Sequence, residues 1–308
     1  MSKILLLNGP LKERIWGSNY FKNSLKITED DTLFGELWSC SGHQEGNSII
    51  INGEFNGQTL DTVFKEHPEL FNYSQYDKFP ILVKLIATSD KLSVQVHPND
   101  DYALKNENEF GKTEGWLIVE KGPLSKIVCG HNAKNQQELI NFINEDQYDK
   151  LLKEVDVEVG DFIPIYPGTI HAIGKDLVIV EIQQSSDVTY RFFDYHRKDK
   201  NGMERQLHVK QAIEVTTYNQ NDVHIDNIHK LAKNLVWDNE YFTVKKLTVN
   251  GTKQIINNTN KAIIATVFDG SLNVENHPLY LGESFIILSE TNIVDICGEG
   301  IILITEVK

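Results

Sequence analysis

The chain has 308 residues, 40% hydrophobic and 24% charged, an ordinary globular composition that excludes a disordered chain. Its 30 Lys and Arg against 44 Asp and Glu leave a net charge of −14 at pH 7. That charge repels phosphate backbones and anionic lipid, so nucleic acid and membrane surfaces are excluded as partners, whereas a small anion gripped by a few local cations is not.

In chain order, residues 4–7 form a short apolar run stopped by Asn8, Gly9 and Pro10. The run is too short for a secretory leader and reads as a first β-strand. Alternating or β-branched segments follow at 47–53, 81–86, 92–96 and 116–120, punctuated by Gly, Pro, Asn and Asp. This rhythm predicts a β-sandwich or barrel. Three segments instead carry apolar residues at three-to-four spacing and predict helices: 60–71, 102–108 and 136–155, the last with Leu139, Phe142, Ile143, Tyr148, Leu151 and Leu152. Strand patterning returns from 157 to 191, 199–206 reads as an exposed polar loop, and 218–230 reads as a linker with little apolar surface. From 235 onward nearly everything is strand.

The mainly β chain therefore divides into residues 1–234, with a helical insert near 132–156, and a second β-domain over 235–308 that is expected to cover an edge of the first barrel. Gly160-Asp161-Phe162-Ile163-Pro164 and Gly282-Glu283-Ser284-Phe285-Ile286 echo one another, each a turn with an acidic residue feeding a strand. Only the first continues to Pro167-Gly168-Thr169-Ile170-His171, so any site belongs to the first copy. Cys40, Cys129 and Cys297 are far apart and form no C-x-x-C pair, which argues against a disulfide framework or a thiolate zinc site and predicts a cytoplasmic protein. No apolar run approaches the roughly 20 residues of a membrane-spanning helix.

Three short motifs carry chemistry. In Val94-Gln95-Val96-His97 the period of two puts Gln95 and His97 on one face. Lys112 and Glu114 share a face in the same way just before the apolar run 116–119. Alone, each pair would be an ordinary polar patch. The third motif, Gly160-Asp161 through Pro167-Gly168 to His171, fixes an imidazole at a strand start and matches the second cupin motif. Together they offer His97, Glu114 and His171, with Gln95 as a weaker oxygen ligand. Imidazole and carboxylate without thiolate suit a catalytic metal with an open position, zinc foremost, with iron or manganese able to use a similar set. Farther on, Asp187, Thr189 and Arg191 alternate onto one side of an extended stretch. Asp187 and Arg191 form either a buried ion pair or a pocket wall in which the guanidinium meets an oxyanion or a phosphate.

In this order and context, Gln95-x-His97-Pro98, Lys112-x-Glu114, Pro167-Gly168-x-x-His171 and Ser186-Asp187-x-x-Tyr190-Arg191 resemble type I mannose-6-phosphate isomerases, in their compact bacterial form. Ile15-Trp16-Gly17 and Gly35-Glu36-Leu37-Trp38 extend the resemblance toward the N-terminus. It implies a cupin (jelly-roll) barrel with a small helical insertion, followed by a degenerate cupin-like domain without metal ligands. It also implies one zinc ion per chain held by Gln95, His97, Glu114 and His171, Arg191 as the catalytic arginine, and interconversion of mannose 6-phosphate and fructose 6-phosphate through a cis-enediol. The general base stays open among Lys112, Asp187 and a metal-bound hydroxide. The expected partner is a small sugar phosphate, and the expected state is a monomer or weak homodimer. A metal-cupin oxygenase and a non-catalytic sugar-phosphate-binding cupin are the rival readings.

Overall fold

The computed structural model describes residues 2–199, 201–218 and 223–308. Among these residues the strands form three antiparallel sheets. A five-stranded sheet has the order Leu152–Asp156, Lys126–His131, His171–Ile173, Val94–Val96, Tyr190–Phe193. Facing it is a sheet whose centre runs Asp161–Ile165, Glu114–Lys121, Leu177–Gln184, Ile81–Ala87, Phe34–His43. The third contains the long strands Phe242–Ile256, Ile263–Val274 and Ile293–Val307.

The middle sheet is covered on both faces, and its sequence shows why. Every residue of Ile81–Ala87 and Leu177–Gln184 is buried. Alternation sends Val83, Leu85, Val178, Val180 and Ile182 into a core shared with Phe242, Val244, Ile264 and Leu303 of the third sheet. Ile86, Trp116, Ile118 and Ile179 point the other way and pack with Ile127, Cys129 and Ile173 of the five-stranded sheet. The C-terminal region thus covers a face of the first barrel, not the edge expected from the sequence. The first strand, Ile4–Asn8, pairs with Ser284–Ile287, so the N-terminal segment lies in the C-terminal sheet although it was expected to belong with residues 1–234.

Two of the three expected helices start where expected, the second starts two residues earlier, and all three stop sooner. Thr59, Asn99 and Asn135 cap the helices Leu60–Glu66, Asp100–Asn106 and Gln136–Asn144 by accepting backbone N–H bonds. The first helix ends before Pro68, which opens a separate 3-10 turn, Pro68–Leu70. The expected helix over 136–155 gives way after Tyr148–Leu151 to a strand, Leu152–Asp156, on Lys126–His131, because that segment alternates between covered and exposed positions. A further helix, Val209–Val215, is absent from the sequence expectation. Of the expected linker, residues 219–222 lie outside the described residues, and Asp226–Asn227 pairs with Asp161–Ile165 as sheet, not as free chain. Lys200 of the polar loop also lies outside them. The echoed turns are present, Gly160 at φ 86° and Gly282 at φ 80°.

Candidate metal centre

Two neighbouring turns bring the ligand residues together. Val94 and Val96 are fully buried on one face of their strand, which leaves Gln95 and His97 for the other. Pro98 ends that strand, and its carbonyl accepts the N–H of Lys112, drawing the start of Glu114–Lys121 beside His97. The second turn docks on His97 itself, whose carbonyl accepts the Gly168 N–H at 2.9 Å. Gly168 sits at φ 83°, and a Cβ there would lie 2.5 Å from the Thr217 methyl, so this turn requires glycine. It delivers His171 opposite Gln95 across the strand pair.

His97, Glu114 and His171 are at most 1% exposed, and one ligand atom from each lies within 4.8 Å of the others. Glu114 Oε2 is 3.6 Å from His97 Nε2, and Oε1 is 3.4 Å from His171 Nε2. The Gln95 amide lies 3.4 Å from His171 Nε2. Each histidine directs Nδ1 to a backbone carbonyl, His97 to Val188 and His171 to Thr169, both at 2.8 Å. With Nδ1–H donating, the Nε2 lone pairs point at the common centre. Burial pushes His97 well below the usual histidine range, with Lys112 and His171 adding to it. Burial likewise brings His171 down to about 4, the Thr169 carbonyl opposing and Lys112 assisting. Both rings are therefore neutral at neutral pH, as ligands must be.

Burial lifts Glu114 to about 7, and the Lys112 ammonium, 3.0 Å from Oε2, restrains the rise. Among the described residues, His97 Nε2 and Glu114 Oε1 are buried without a hydrogen-bond partner, and Glu114 Oε2 is met only by the Lys112 ammonium. Two orphaned atoms converging with the His171 Nε2 on one point are costly unless a cation sits among them, so the residues fit a metal ion.

This centre borders a cavity of about 480 Å³ whose wall includes Trp16, Lys84, Gln95, Lys112, Glu181, Asp187, Arg191 and Arg205. Lys112, Asp187 and Arg191, separated in sequence, thus share one space. Arg191 makes no ion pair with Asp187 among the described residues, which removes the buried-pair reading. Its Nε donates to Ser93 Oγ and its Nη1 to the Gln206 carbonyl, each at 3.0 Å.

Known proteins place the chain. The family model "Phosphomannose isomerase type I, catalytic domain" matches residues 4–113, and "Mannose-6-phosphate isomerase, cupin domain" matches 232–307. The mannose-6-phosphate isomerase of Streptococcus mutans is 36% identical over 93% of each chain. The chain belongs to the type I phosphomannose isomerase family. Among solved structures, the mannose 6-phosphate isomerase of Bacillus subtilis superposes with a TM-score of 0.91 at 33% identity, covering 99% of this chain and 100% of that one. A zinc-bound mannose 6-phosphate isomerase shares the fold at a TM-score of 0.74 and 14% identity over the whole of both chains. Glu114, His171 and Arg191 fall between the two matched spans, so their assignment rests on geometry.

The cavity also contains groups that sequence reasoning missed. Lys84 and Glu181, each in the middle of an apolar strand, pair at 3.0 Å with side chains 4% exposed. Glu181 Oε1 also accepts the Trp116 indole N–H at 3.0 Å, and the Lys84 ammonium lies 5.2 Å from the Trp38 ring centre. Glu36 accepts from Arg14 and from the Trp38 indole. A signal was available: one basic and one acidic residue, each alone within a β-branched run, imply a buried pair on adjacent strands.

Proposed function

We propose that the chain interconverts D-mannose 6-phosphate and D-fructose 6-phosphate using one zinc ion held by His97, Glu114, His171 and Gln95. The single observation that carries this is the set of orphaned, buried atoms of His97 and Glu114 facing His171 beside a cavity that also contains Arg191. Zinc is favoured because the ligands are nitrogen and oxygen only, and because a zinc-bound isomerase shares the fold. When bound, the metal supplies Lewis-acid polarisation of the sugar's C1 and C2 oxygens.

The protein's own groups supply the remaining requirements. Moving a proton between C1 and C2 through a cis-enediol builds negative charge on oxygen, which the Arg191 guanidinium stabilises. Ser93 and the Gln206 carbonyl fix that guanidinium beforehand, so no reorganisation is needed during reaction. Of the two side chains considered for proton transfer, Lys112 is committed to Glu114, whereas the Asp187 carboxylate has no ion-pair partner among the described residues. Asp187 is the better acceptor. The buried ladder of Lys84 and Glu181 offers donors and acceptors to sugar hydroxyls. We assign the protein to the cytoplasm, in keeping with three free cysteines, two of them buried. Among the described residues no helix is long and apolar enough to cross a membrane.

A coupled assay on mannose 6-phosphate, with and without a chelator and with metal analysis of the same sample, tests the reading. Activity that persists after complete metal removal, or zinc-loaded protein with no activity, would refute it. Arg191→Ala should keep its zinc and lose most turnover.

A further inference from the structure

A sugar phosphate brings close to two negative charges into the cavity, and five cations line its wall: Arg14, Lys84, Lys112, Arg191 and Arg205. Three are neutralised locally. Arg14 pairs with Glu36 at 2.8 Å, Lys84 with Glu181 at 3.0 Å and Lys112 with Glu114 at 3.0 Å. Among the described residues the Arg191 guanidinium donates only to neutral acceptors and forms no ion pair.

Arg205 is set up differently from all of these. Its Nε and Nη2 form a two-pronged contact with Asp194 Oδ2 and Oδ1, both at 2.7 Å. Asp194 is 5% exposed and does not line the cavity. Its one carboxylate also serves Arg197, whose Nη2 reaches Oδ1 at 2.5 Å, so two guanidiniums share a single negative charge. Arg197 is turned away from the cavity, bonding Asp90 and the Lys91 carbonyl and lying over the Tyr195 ring. The turn between Asp194 and Arg197 contains two consecutive side-chain-bearing residues in the left-handed region, Tyr195 at φ 57° and His196 at φ 53°. Such strain persists only where the surroundings over-determine the geometry, as the bonds around Asp194 do. The Arg205 segment is also tied to Arg191, since Gln206 accepts from the Arg191 guanidinium and the His208 N–H donates to the Arg191 carbonyl.

We propose that Arg205 is a phosphate-binding residue of this cavity, acting beside Arg191, and that Asp194 is the positioning residue that fixes its guanidinium plane. The proposal rests on the sugar-phosphate reading above. The edge of Arg205 turned to Asp194 is occupied, its Nη1 makes no hydrogen bond among the described residues, and Arg205 lines the cavity that an anion would enter. Arginine suits this task because its rigid fork can hold one oxyanion while it meets another.

The test uses the zinc-loaded full chain and two readouts, calorimetric titration with inorganic phosphate and Michaelis kinetics on mannose 6-phosphate. Arg205→Ala should weaken phosphate binding and raise KM by on the order of 10- to 100-fold, the worth of a charge-assisted contact, while kcat falls less than about threefold. Arg205→Lys, which keeps the charge and loses the fork, should fall between. Asp194→Asn should raise KM more than it lowers kcat, a split that a purely structural defect would not produce. Phosphate affinity and KM within twofold of wild type in both Arg205 variants, or a loss confined to kcat, would overturn the proposal. Phosphate titration needs no turnover, which separates the two readings. Wild-type protein that binds phosphate through Arg205 without isomerising sugar would refute only the isomerase. An active isomerase whose phosphate affinity ignores Arg205 would refute only this assignment.

Discussion

Glu181→Gln isolates one charge in the cavity floor. Glutamine is isosteric and can still accept the Trp116 indole N–H, so the substitution removes little besides the attraction to Lys84. Burial alone would raise the Glu181 carboxyl, but the ammonium of Lys84, then that of Lys112, and the hydrogen bonds from Lys84 and Trp116 outweigh it and bring the group from 4.5 down to about 2. At neutral pH that displacement corresponds to about 3 kcal/mol. The figure agrees with the roughly 3–5 kcal/mol lost when one partner of a buried pair is removed and the other is left unpaired. Urea unfolding at pH 7 with zinc in excess should therefore show Glu181→Gln about 3 kcal/mol less stable than wild type.

Lys84→Met should cost a similar amount, and the double variant should cost about as much as either single, because the pair is one interaction. A depressed carboxyl contributes stability above its unfolded value and loses it as pH falls toward the folded value. The gap between wild type and Glu181→Gln should accordingly hold constant from pH 5 to 8 and narrow between about 4.5 and about 2. A loss under about 1 kcal/mol for Glu181→Gln, or single-variant losses that simply add, would refute the reasoning.

Three further outcomes follow from the centre itself. His97→Ala and His171→Ala should each retain well under one zinc per chain after dialysis, read by metal analysis, and should lose isomerase activity together with the metal. Zinc binding requires Glu114 as the carboxylate. Because burial lifts its free form to about 7 while both histidines are already neutral, zinc affinity measured by competition should rise about tenfold per pH unit from 5 to 7 and flatten above; a flat profile below 7 would contradict this. Gly168→Ala should lose more than about 1 kcal/mol of stability by urea unfolding and weaken zinc binding, since the strained turn carries His171; an unchanged variant would remove the turn from the argument.

Much of the fold was legible because strand alternation is local. Even the two strands buried on both faces betrayed themselves as β-branched runs, and the ligands stood beside turn signals such as His97-Pro98 and Pro167-Gly168. What stayed hidden depends on distant partners. The pairing of Leu5 with Ile286 joins opposite ends of the chain, and no periodicity near residue 5 encodes it. The strand Leu152–Asp156 carries a helical signal in sequence because Tyr148, Leu151 and Leu152 fall at helical spacing, while its alternation matters only beside Lys126–His131. Arg205 looked like one more charge in a polar loop until Asp194 and Gln206 tied it to Arg191.

The same distinction explains what the C-terminal sheet contributes to a site it does not touch with a ligand. By covering the outer face of the middle sheet it keeps Ile81–Ala87 and Leu177–Gln184 dry. On the opposite face of that sheet Lys84 and Glu181, with side chains 4% exposed, pair with each other beside the Trp116 and Trp38 rings, and their attraction is little screened by water. The cavity floor is then held by a strong pair and not by mobile surface charges. A metal ligand such as Glu114, one strand away and paired in register with Gln183, inherits that fixed position. The net charge of −14 takes on its meaning in the same setting. It is a property of the solvated surface, screened within about 8 Å at physiological salt, whereas Arg191 and Arg205 act over shorter distances inside a cavity where the other cations are already neutralised.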